Sequence, residues 1–380
     1  MRESTEKLIK RGGEVFRPDL DEIATHQVQA QVDSFGTLEE QREKIQLLQE
    51  LNIYGRKLVE GRGDQTVWLV EFPQTNDDSD LKFKDTVLAK KLGFTRQETF
   101  KSVGEEIENG GKPDLDEFDE TAAQLVVLDK EGNIVGGYRI WRTDEELKTK
   151  ELDEAVYNSH FFNYSDEFKT NVLDRSMETG RSFVLRDSKW VALFAMKNTF
   201  KAWHKLCTEE IENRNEDLRY LFGGVSISND LPCDLQEKLI YFLQNIVSER
   251  IPKTDVSAKN PENEFLISEE NNEQLKKYFE KPSSEEGSEK IEFEKLSPEE
   301  ALKKIKDEFT ARDEEFPTLF DTYIGIEKPG AIKFGTAVYN PDRGNCIEVM
   351  MLVDLKNLAD DLEKRFGDPD GVALRDKIKK

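Results

Sequence analysis

Glu178-Thr-Gly-Arg-Ser-Phe-Val184 sets an acid and an arginine three residues apart inside a segment that otherwise reads as a strand. In a regular strand, residues three apart point to opposite faces. A site shared by Glu178 and Arg181 therefore requires a bulge, and Thr179-Gly180 is where the sequence permits one. Working outward, this strand covers Glu178–Leu185 and a helix follows from about Trp190 to Leu206. Upstream, Gln124–Asp129 and Ile134–Arg142 are strands joined by the turn Lys130-Glu-Gly-Asn133. Gln65–Phe72 is a further strand, and Leu81–Phe100 a helix interrupted at Gly93. Downstream come a strand at Tyr220–Ser228 and a helix at Leu235–Val247. The alternation predicts an α/β (α+β) fold, a sheet with helices packed on its faces.

The flanks read differently. Thr37-Leu-Glu-Glu40 is a capping box, and Leu38, Ile45, Leu48, Leu51 and Leu58 recur at helical spacing up to the stop Gly61-Arg-Gly63. Residues 1–64 thus form an N-terminal helical extension ahead of a domain at 65–366. Within that domain, 252–315 is acidic and Ser/Pro-rich, and is expected as a solvated insertion with some local helix. Order resumes with Phe316–Ile326, the strands Ala331–Val338 and Cys346–Asp354, and a last helix near Leu355–Phe366; 367–380 is a polar tail.

Composition narrows the function. The 380 residues carry a net charge of -24, which argues against nucleic acid and against an electrostatic anchor on anionic lipid. No stretch has the apolar length of a membrane span, and the N-terminus lacks the apolar run of a secretory signal. Cys207, Cys233 and Cys346 are too scattered for a disulfide framework or a paired metal site, so a reduced, cytoplasmic setting is expected. There is no Walker A loop, dinucleotide fingerprint, HExxH or GxSxG, and His26, His160 and His204 have no ligand-like spacing. His160 reads as a packed or capping histidine.

What remains is charge inside apolar segments: Arg96-Gln-Glu-Thr-Phe100, Asp114-Leu-Asp-Glu-Phe-Asp119, Gly136-Gly-Tyr-Arg-Ile140 and Glu178–Val184. Burying Arg139 and Arg181 costs several kcal/mol (roughly) unless carboxylates meet them, and Asp116, Asp119 and Glu178 are the natural partners. On physics alone, a structural ion-pair network and an active site fit equally.

These motifs, in this order, resemble one branch of the GNAT acyltransferases. That branch holds the acyl-homoserine-lactone synthases and the hemolysin-like N-acyltransferases that make ornithine and glycine lipids. SHFFNYSDEF (Ser159–Phe168), YLFGGV (Tyr220–Val225), LIYFL (Leu239–Leu243), PTLFDTY (Pro317–Tyr323) and FGTA (Phe334–Ala337) extend the likeness over roughly 65–360. The resemblance implies a mixed, splayed sheet into which the pantetheine arm of a thioester donor inserts beside Val184. It implies a charge cluster of Arg96, Asp116, Asp119, Arg139, Glu178 and Arg181 as the catalytic site. Family members usually cradle the donor pyrophosphate in a glycine-rich loop, whereas Leu185-Arg-Asp-Ser-Lys-Trp190 has no glycine. The helix N-terminus, assisted by Arg186, Ser188 and Lys189, is then the expected phosphate site.

The implied reaction moves a long-chain acyl group from acyl carrier protein or CoA to the amine of an amino acid or lyso-aminolipid. No permanently bound cofactor is expected. Lys197, Lys201 and Lys205, four apart on one helix, are a candidate dock for acidic carrier protein. Location at the inner membrane face goes with a lipid acceptor. A signal synthase with a soluble product and a non-catalytic binding module are the alternatives.

Overall fold

The computed structural model describes residues 37–72, 82–105, 110–185, 189–214, 217–282, 293–317, 320, 324, 331–358 and 374–378. Its centre is an eight-stranded mixed sheet. Strands β1 (Gly55–Glu60), β2 (Thr66–Val70), β3 (Ala123–Leu128), β4 (Ile134–Arg142), β6 (Ser176–Val184), β7 (Tyr220–Ile227), β12 (Cys346–Asp354) and β11 (Ile332–Asn340) lie side by side in that order. Two small ribbons pair β5 (Phe162–Tyr164) with β8 (Val256–Ala258), and β9 (Glu280–Pro282) with β10 (Phe293–Lys295).

Every neighbouring pair in the main sheet is antiparallel except β6 and β7. Those two run parallel and match only at Ser176–Glu178 against Tyr220–Phe222. Past that point both strands continue without pairing to each other, which is the expected splay. The parallel pair needs a crossover, and a 25-residue helix at Lys189–Asn213 supplies it. At the fork the backbones almost touch: a Cβ on Gly223 would fall 2.2 Å from the Thr179 carbonyl oxygen. Gly223→Ala should therefore push the strands apart and cost about 1–3 kcal/mol, the usual range for overpacking, measurable by chemical denaturation.

The N-terminal helix α1 (Leu38–Tyr54) begins at Thr37 with the expected capping box but stops early. Leu58 belongs to β1 and not to the helix. Gly55 makes the switch in extended conformation, where any Cβ would sit 2.7 Å from the Leu51 carbonyl oxygen and 3.3 Å from that of Leu69. Gly61-Arg-Gly63 then turns the β1–β2 hairpin. Helix α2 (Val87–Lys101) runs unbroken through Gly93. That glycine is there for a neighbour, since a Cβ would come 2.7 Å from the Pro113 side chain. The crossover helix, α3, reaches Asn213, well past the expected end. Helix α4 (Cys233–Phe242) continues into a wider turn at Leu243–Val247. No described helix is long and apolar enough to cross a membrane.

The reading of 252–315 as a solvated insertion needs correction. Helices α5 (Glu269–Tyr278) and α6 (Pro298–Ala311) send Leu275, Ala301, Ile305 and Phe309 into the main core, beside Phe265 and Phe279. Its acidic residues lie on the outer sides of elements whose inner sides are apolar. Residues 283–292 are outside the described set. The same is true of most of 316–330 and of 359–373; the helix expected near Leu355–Phe366 is, where described, a single tight turn at Leu355–Asn357.

One face of the sheet carries α3 and α4 over the largest core cluster. The other face carries two separate apolar patches. Helices α1 and α2 cover strands β1–β4 with Leu51, Leu88 and Leu92, joined by Phe83 from the turn ahead of α2. The β5–β8 layer covers the far end with Phe162, Phe168 and Val256 against Phe222 and Met350. Charged side chains occupy the gap between them.

Candidate active site

The Asp114–Asp119 loop is rigid before any arginine meets it. Asp116 caps a short turn at Glu117–Glu120, accepting from the backbone N–H groups of Phe118 and Asp119 at 3.0 and 3.2 Å. Asp119 returns the bond by accepting from Asp116 N at 2.9 Å. Three arginines from three elements then converge. Arg96 of α2 donates to both oxygens of Asp119 at 3.1 and 2.8 Å, and its Nε lies 2.8 Å from Asp114 Oδ2. Arg139 of β4 donates to Asp116 Oδ1 at 2.6 Å and lies 3.4 Å from Asp119 Oδ2. Arg181 of β6 donates to Asp116 Oδ2 at 2.8 Å and lies 3.5 Å from Asp114 Oδ1.

Three guanidinium groups thus balance three carboxylates in a place almost sealed from water, with Arg96 and Arg139 each 1% exposed. Burial by itself would raise the carboxyl of Asp116, but Arg139 and Arg181 hold it well below the usual carboxylate range. Asp114 is likewise pushed up by burial and brought down further by Arg96 and Arg181. Aromatic faces complete the cage. Arg139 lies 4.8 Å from the ring centres of both Trp141 and Tyr157, and Arg181 is 5.4 Å from that of Tyr157.

The bulge expected in β6 is present, one residue later than Thr179-Gly180. Arg139 pairs with Gly180 and Gly137 with Phe183, so β6 spends three steps where β4 spends two. Arg181 takes the strain, with φ of +50°. A left-handed arginine costs about 1–2 kcal/mol, offset here by its two aspartate partners. The extra residue brings Arg181 and Glu178 to the same side, both against Tyr157.

Glu178 does not join the arginines as an ion-pair partner. It is 1% exposed, and its Oε1 accepts from the backbone N and side-chain Nδ2 of Asn158 at 2.7 and 2.6 Å. Its Oε2 accepts from Tyr157 N at 2.8 Å. Burial pushes its carboxyl up to about 7, against the pull of these hydrogen bonds and of Arg139. It stands at the last matched pair of β6 and β7, where the strands part.

Arg96, Asp116, Asp119, Arg139, Glu178 and Arg181 are therefore brought together. Asp114, Tyr157 and Asn158 complete the group and were not anticipated as site residues; Asp114 opens the DLDEFD motif, while Tyr157 and Asn158 stand just ahead of SHFFNYSDEF. Nothing in the sequence connected it to a second buried cluster across the fork. There Arg343 lies 3.5 Å from Glu105 Oε2 and 3.8 Å from Glu348 Oε1, above the Phe100 ring. Burial raises Glu105 to about 7. His160 is exposed, with its ring centre 5.3 Å from that of Phe118.

On the donor side, Val184 is half-buried at the end of β6. Arg186, Ser188 and the side chain of Lys189 lie outside the described residues. Lys197, Lys201 and Lys205 are exposed along one side of α3, with Lys205 Nζ donating to the Leu58 carbonyl at 3.0 Å. A neighbouring face of the helix buries Asn198, Ala202 and Leu206.

Comparison with known proteins adds to this geometry. Residues 95–196 match the family model described as an acetyltransferase (GNAT) domain. That stretch contains all six residues of the expected cluster. The chain is 29% identical over 163 residues to a glycine N(alpha)-acyltransferase of Phocaeicola vulgatus, covering 40% of this chain and 48% of that protein. It is 26% identical over 282 residues to a glycine N(alpha)-acyltransferase of Bacteroides thetaiotaomicron, covering 72% of this chain and 75% of that protein. The match thus spans about half the length of the first relative and three quarters of the second. A crystal structure of TofI in a ternary complex with an inhibitor and MTA aligns at 11% identity and a TM-score of 0.32 over 76% of this chain and 90% of that one.

Proposed function

We propose that this chain, whose acyltransferase domain is of the GNAT type, moves a long-chain acyl group from a thioester to the amine of a small amino acid or of its lyso-lipid. One observation carries the reading: an isolated buried acid, Glu178, raised to about 7, at the point where β6 and β7 separate. A group of that affinity near neutral pH is suited to taking a proton from an amine.

The donor thioester enters the fork past Glu178, where the unpaired edges of β6 and β7 offer backbone N–H groups to its carbonyl oxygen. Glu178 accepts a proton from the acceptor ammonium, directly or through water. The freed amine attacks the thioester carbon, the C–S bond breaks, and the thiol leaves with a proton. No cysteine is needed, because the donor is already activated. Arg139 Nε and Nη2 and Arg181 Nε are buried without a hydrogen-bond partner among the described residues. They are the donors assigned to the acceptor's carboxylate. The relatives' shared name makes glycine the first acceptor to try.

The test is expression in a host lacking aminolipids, followed by mass spectrometry of the chloroform extract and of the medium. A new N-acyl amino acid or aminolipid supports the reading, and its phase separates a lipid product from a soluble signal. No new acylated amine in either phase would overturn it.

The donor is proposed to be acyl carrier protein, docked on the exposed row Lys197, Lys201 and Lys205. Reversing Lys197 and Lys201 to Glu should raise KM for carrier protein roughly tenfold or more, since each lost steering charge slows encounter. Turnover of a short acyl-pantetheine thioester should stay unchanged. Added salt should weaken only the carrier-protein reaction, because exposed charges are screened over about 10 Å at 0.1 M. Equal effects on both donors would remove the lysines from docking.

A further inference from the structure

Trp190, in the first turn of α3, is 67% exposed, whereas tryptophan is usually well covered. It is nonetheless held in place. Its ring lies 6.0 Å from that of Phe194 at an angle of 33°. Phe194 is in turn braced by the β1–β2 hairpin. A Cβ on Gly63 at the hairpin tip would fall 2.8 Å from the Phe194 ring, so a side chain there would hold the tip off. Gly63 also has φ of +71°, a conformation that suits glycine. Asn198 ties the same tip to the helix. Its Oδ1 accepts from Arg62 N at 3.1 Å, and its Nδ2 donates to the Arg62 carbonyl at 3.1 Å and to Gln65 Oε1 at 3.0 Å. An exposed indole thus stands on a rigid base.

Helical geometry continues this feature into charge. Trp190, Phe194, Lys197 and Lys201 fall within about 60° of one another around α3 and span about 16 Å along it. Both lysines are exposed, and neither has an acidic partner among the described residues. The chain has 79 acidic against 55 basic residues, so cations left unpaired beside an exposed ring pair favour an acidic partner from outside. The hairpin tip adds one exposed charge of each sign, Arg62 and Asp64, and the lysines therefore set the sign of the stripe. The stripe also begins beside the fork. Only residues 185–188 separate α3 from Val184 at the end of β6.

We propose that Trp190 and Phe194 are the apolar anchor of the donor dock: an acidic carrier protein seats an apolar spot on these rings and its carboxylates on Lys197 and Lys201. This deepens the acyltransferase reading and rests on it. The two halves of the stripe then act on different steps. The lysines speed encounter and set orientation, while a desolvated indole slows departure. A small acidic partner meets only the stripe, because screening confines exposed charges to about 10 Å at 0.1 M salt. An anionic bilayer would extend past the stripe to the rest of a chain whose net charge is -24. The carrier protein is therefore the better fit.

The probe is a holo carrier protein that lacks tryptophan, read by the fluorescence of the full chain. Trp141 and Trp203 are buried and Trp68 is half-buried, so docking should shift emission to the blue through Trp190. That measurement needs no variant. Trp190→Phe should abolish the shift yet bind nearly as tightly, since a ring remains. Trp190→Ala should raise Kd roughly 30-fold or more, the loss of a central aromatic anchor. Salt separates ring from charge. The Trp190→Ala loss should persist at about 0.5 M salt, where the effect of reversing Lys197 and Lys201 has faded. In turnover, Trp190→Ala should raise KM for acyl carrier protein at least about tenfold more than KM for a short acyl-pantetheine thioester. No blue shift on adding carrier protein, or an unchanged Kd in Trp190→Ala, would overturn the anchor. Trp190-dependent binding to vesicles of phosphatidylcholine and phosphatidylglycerol, with none to carrier protein, would overturn it too and assign the stripe to a membrane. Absence of amine acylation from acyl-pantetheine by the wild-type chain would instead remove the acyltransferase reading itself.

Discussion

Glu178→Gln should lower turnover by roughly 10²–10⁴-fold, the usual worth of a general base. The pH profile makes the test specific. Glu178 must be ionised to accept a proton, and burial raises its carboxyl to about 7. kcat/KM should therefore climb with pH up to about 7 and then level off; below that point each unit of acid removes about tenfold. The variant should lose this rising limb together with its rate. The substitution is not neutral for the fold. Both oxygens accept hydrogen bonds, from Tyr157 N on one side and Asn158 on the other. A glutamine amide must turn its NH₂ toward one of these donors, so a drop in stability of about 1–3 kcal/mol should accompany the loss. Full turnover by Glu178→Gln, measured where chemistry limits the rate, would exclude Glu178 as the base.

Arg139→Ala should destabilise the protein by about 3–5 kcal/mol, the cost of leaving three buried carboxylates with only two cations. Asp116 and Asp119 both face Arg139, and the Asp119 side chain is almost fully buried. Arg96 still reaches Asp119 and Arg181 still reaches Asp116, but one buried negative charge is left over. Denaturant midpoints would measure the loss. The comparison Lys150→Ala, which breaks an ion pair in which both partners are partly exposed, should change stability by less than about 1 kcal/mol. Equal effects at the two sites would mean that the buried network contributes no more than a surface pair.

Legibility tracked distance along the chain. Strand β4 was readable at both ends because its alternation and the Lys130–Asn133 turn are local signals. The need for a bulge between Glu178 and Arg181 followed from their spacing once the resemblance had placed both in one site. Its location was not, since Arg181 is held in a left-handed conformation by Asp116 and Asp114, 65 and 67 residues upstream. Leu58 was misread because apolar spacing carried on past Gly55, while contact with Leu69 across the hairpin decided the matter. The acidic composition of 252–315 concealed Ala301, Ile305 and Phe309, a stripe spaced by fours that buries one side of α6. Glu178 was expected to meet the arginines. It meets backbone N–H groups instead, and no side-chain pattern announces those.

The sheet is best regarded mechanically as two rafts. One comprises β1, β2, β3, β4 and β6, and the other β7, β12 and β11; three residue pairs join them. Each raft carries one buried charge cluster, with Arg139 and Arg181 on the first and Glu348 on the second. The seam is a crease, and the strands beyond it are levers. From Phe222 to Ile227 a strand extends about 17 Å, so a rotation of about 5° at the crease displaces the far tip by about 1.5 Å. Hydrogen bonds tolerate only a few tenths of an ångström before they weaken. Whatever lies in the fork therefore sets the spacing between the two clusters.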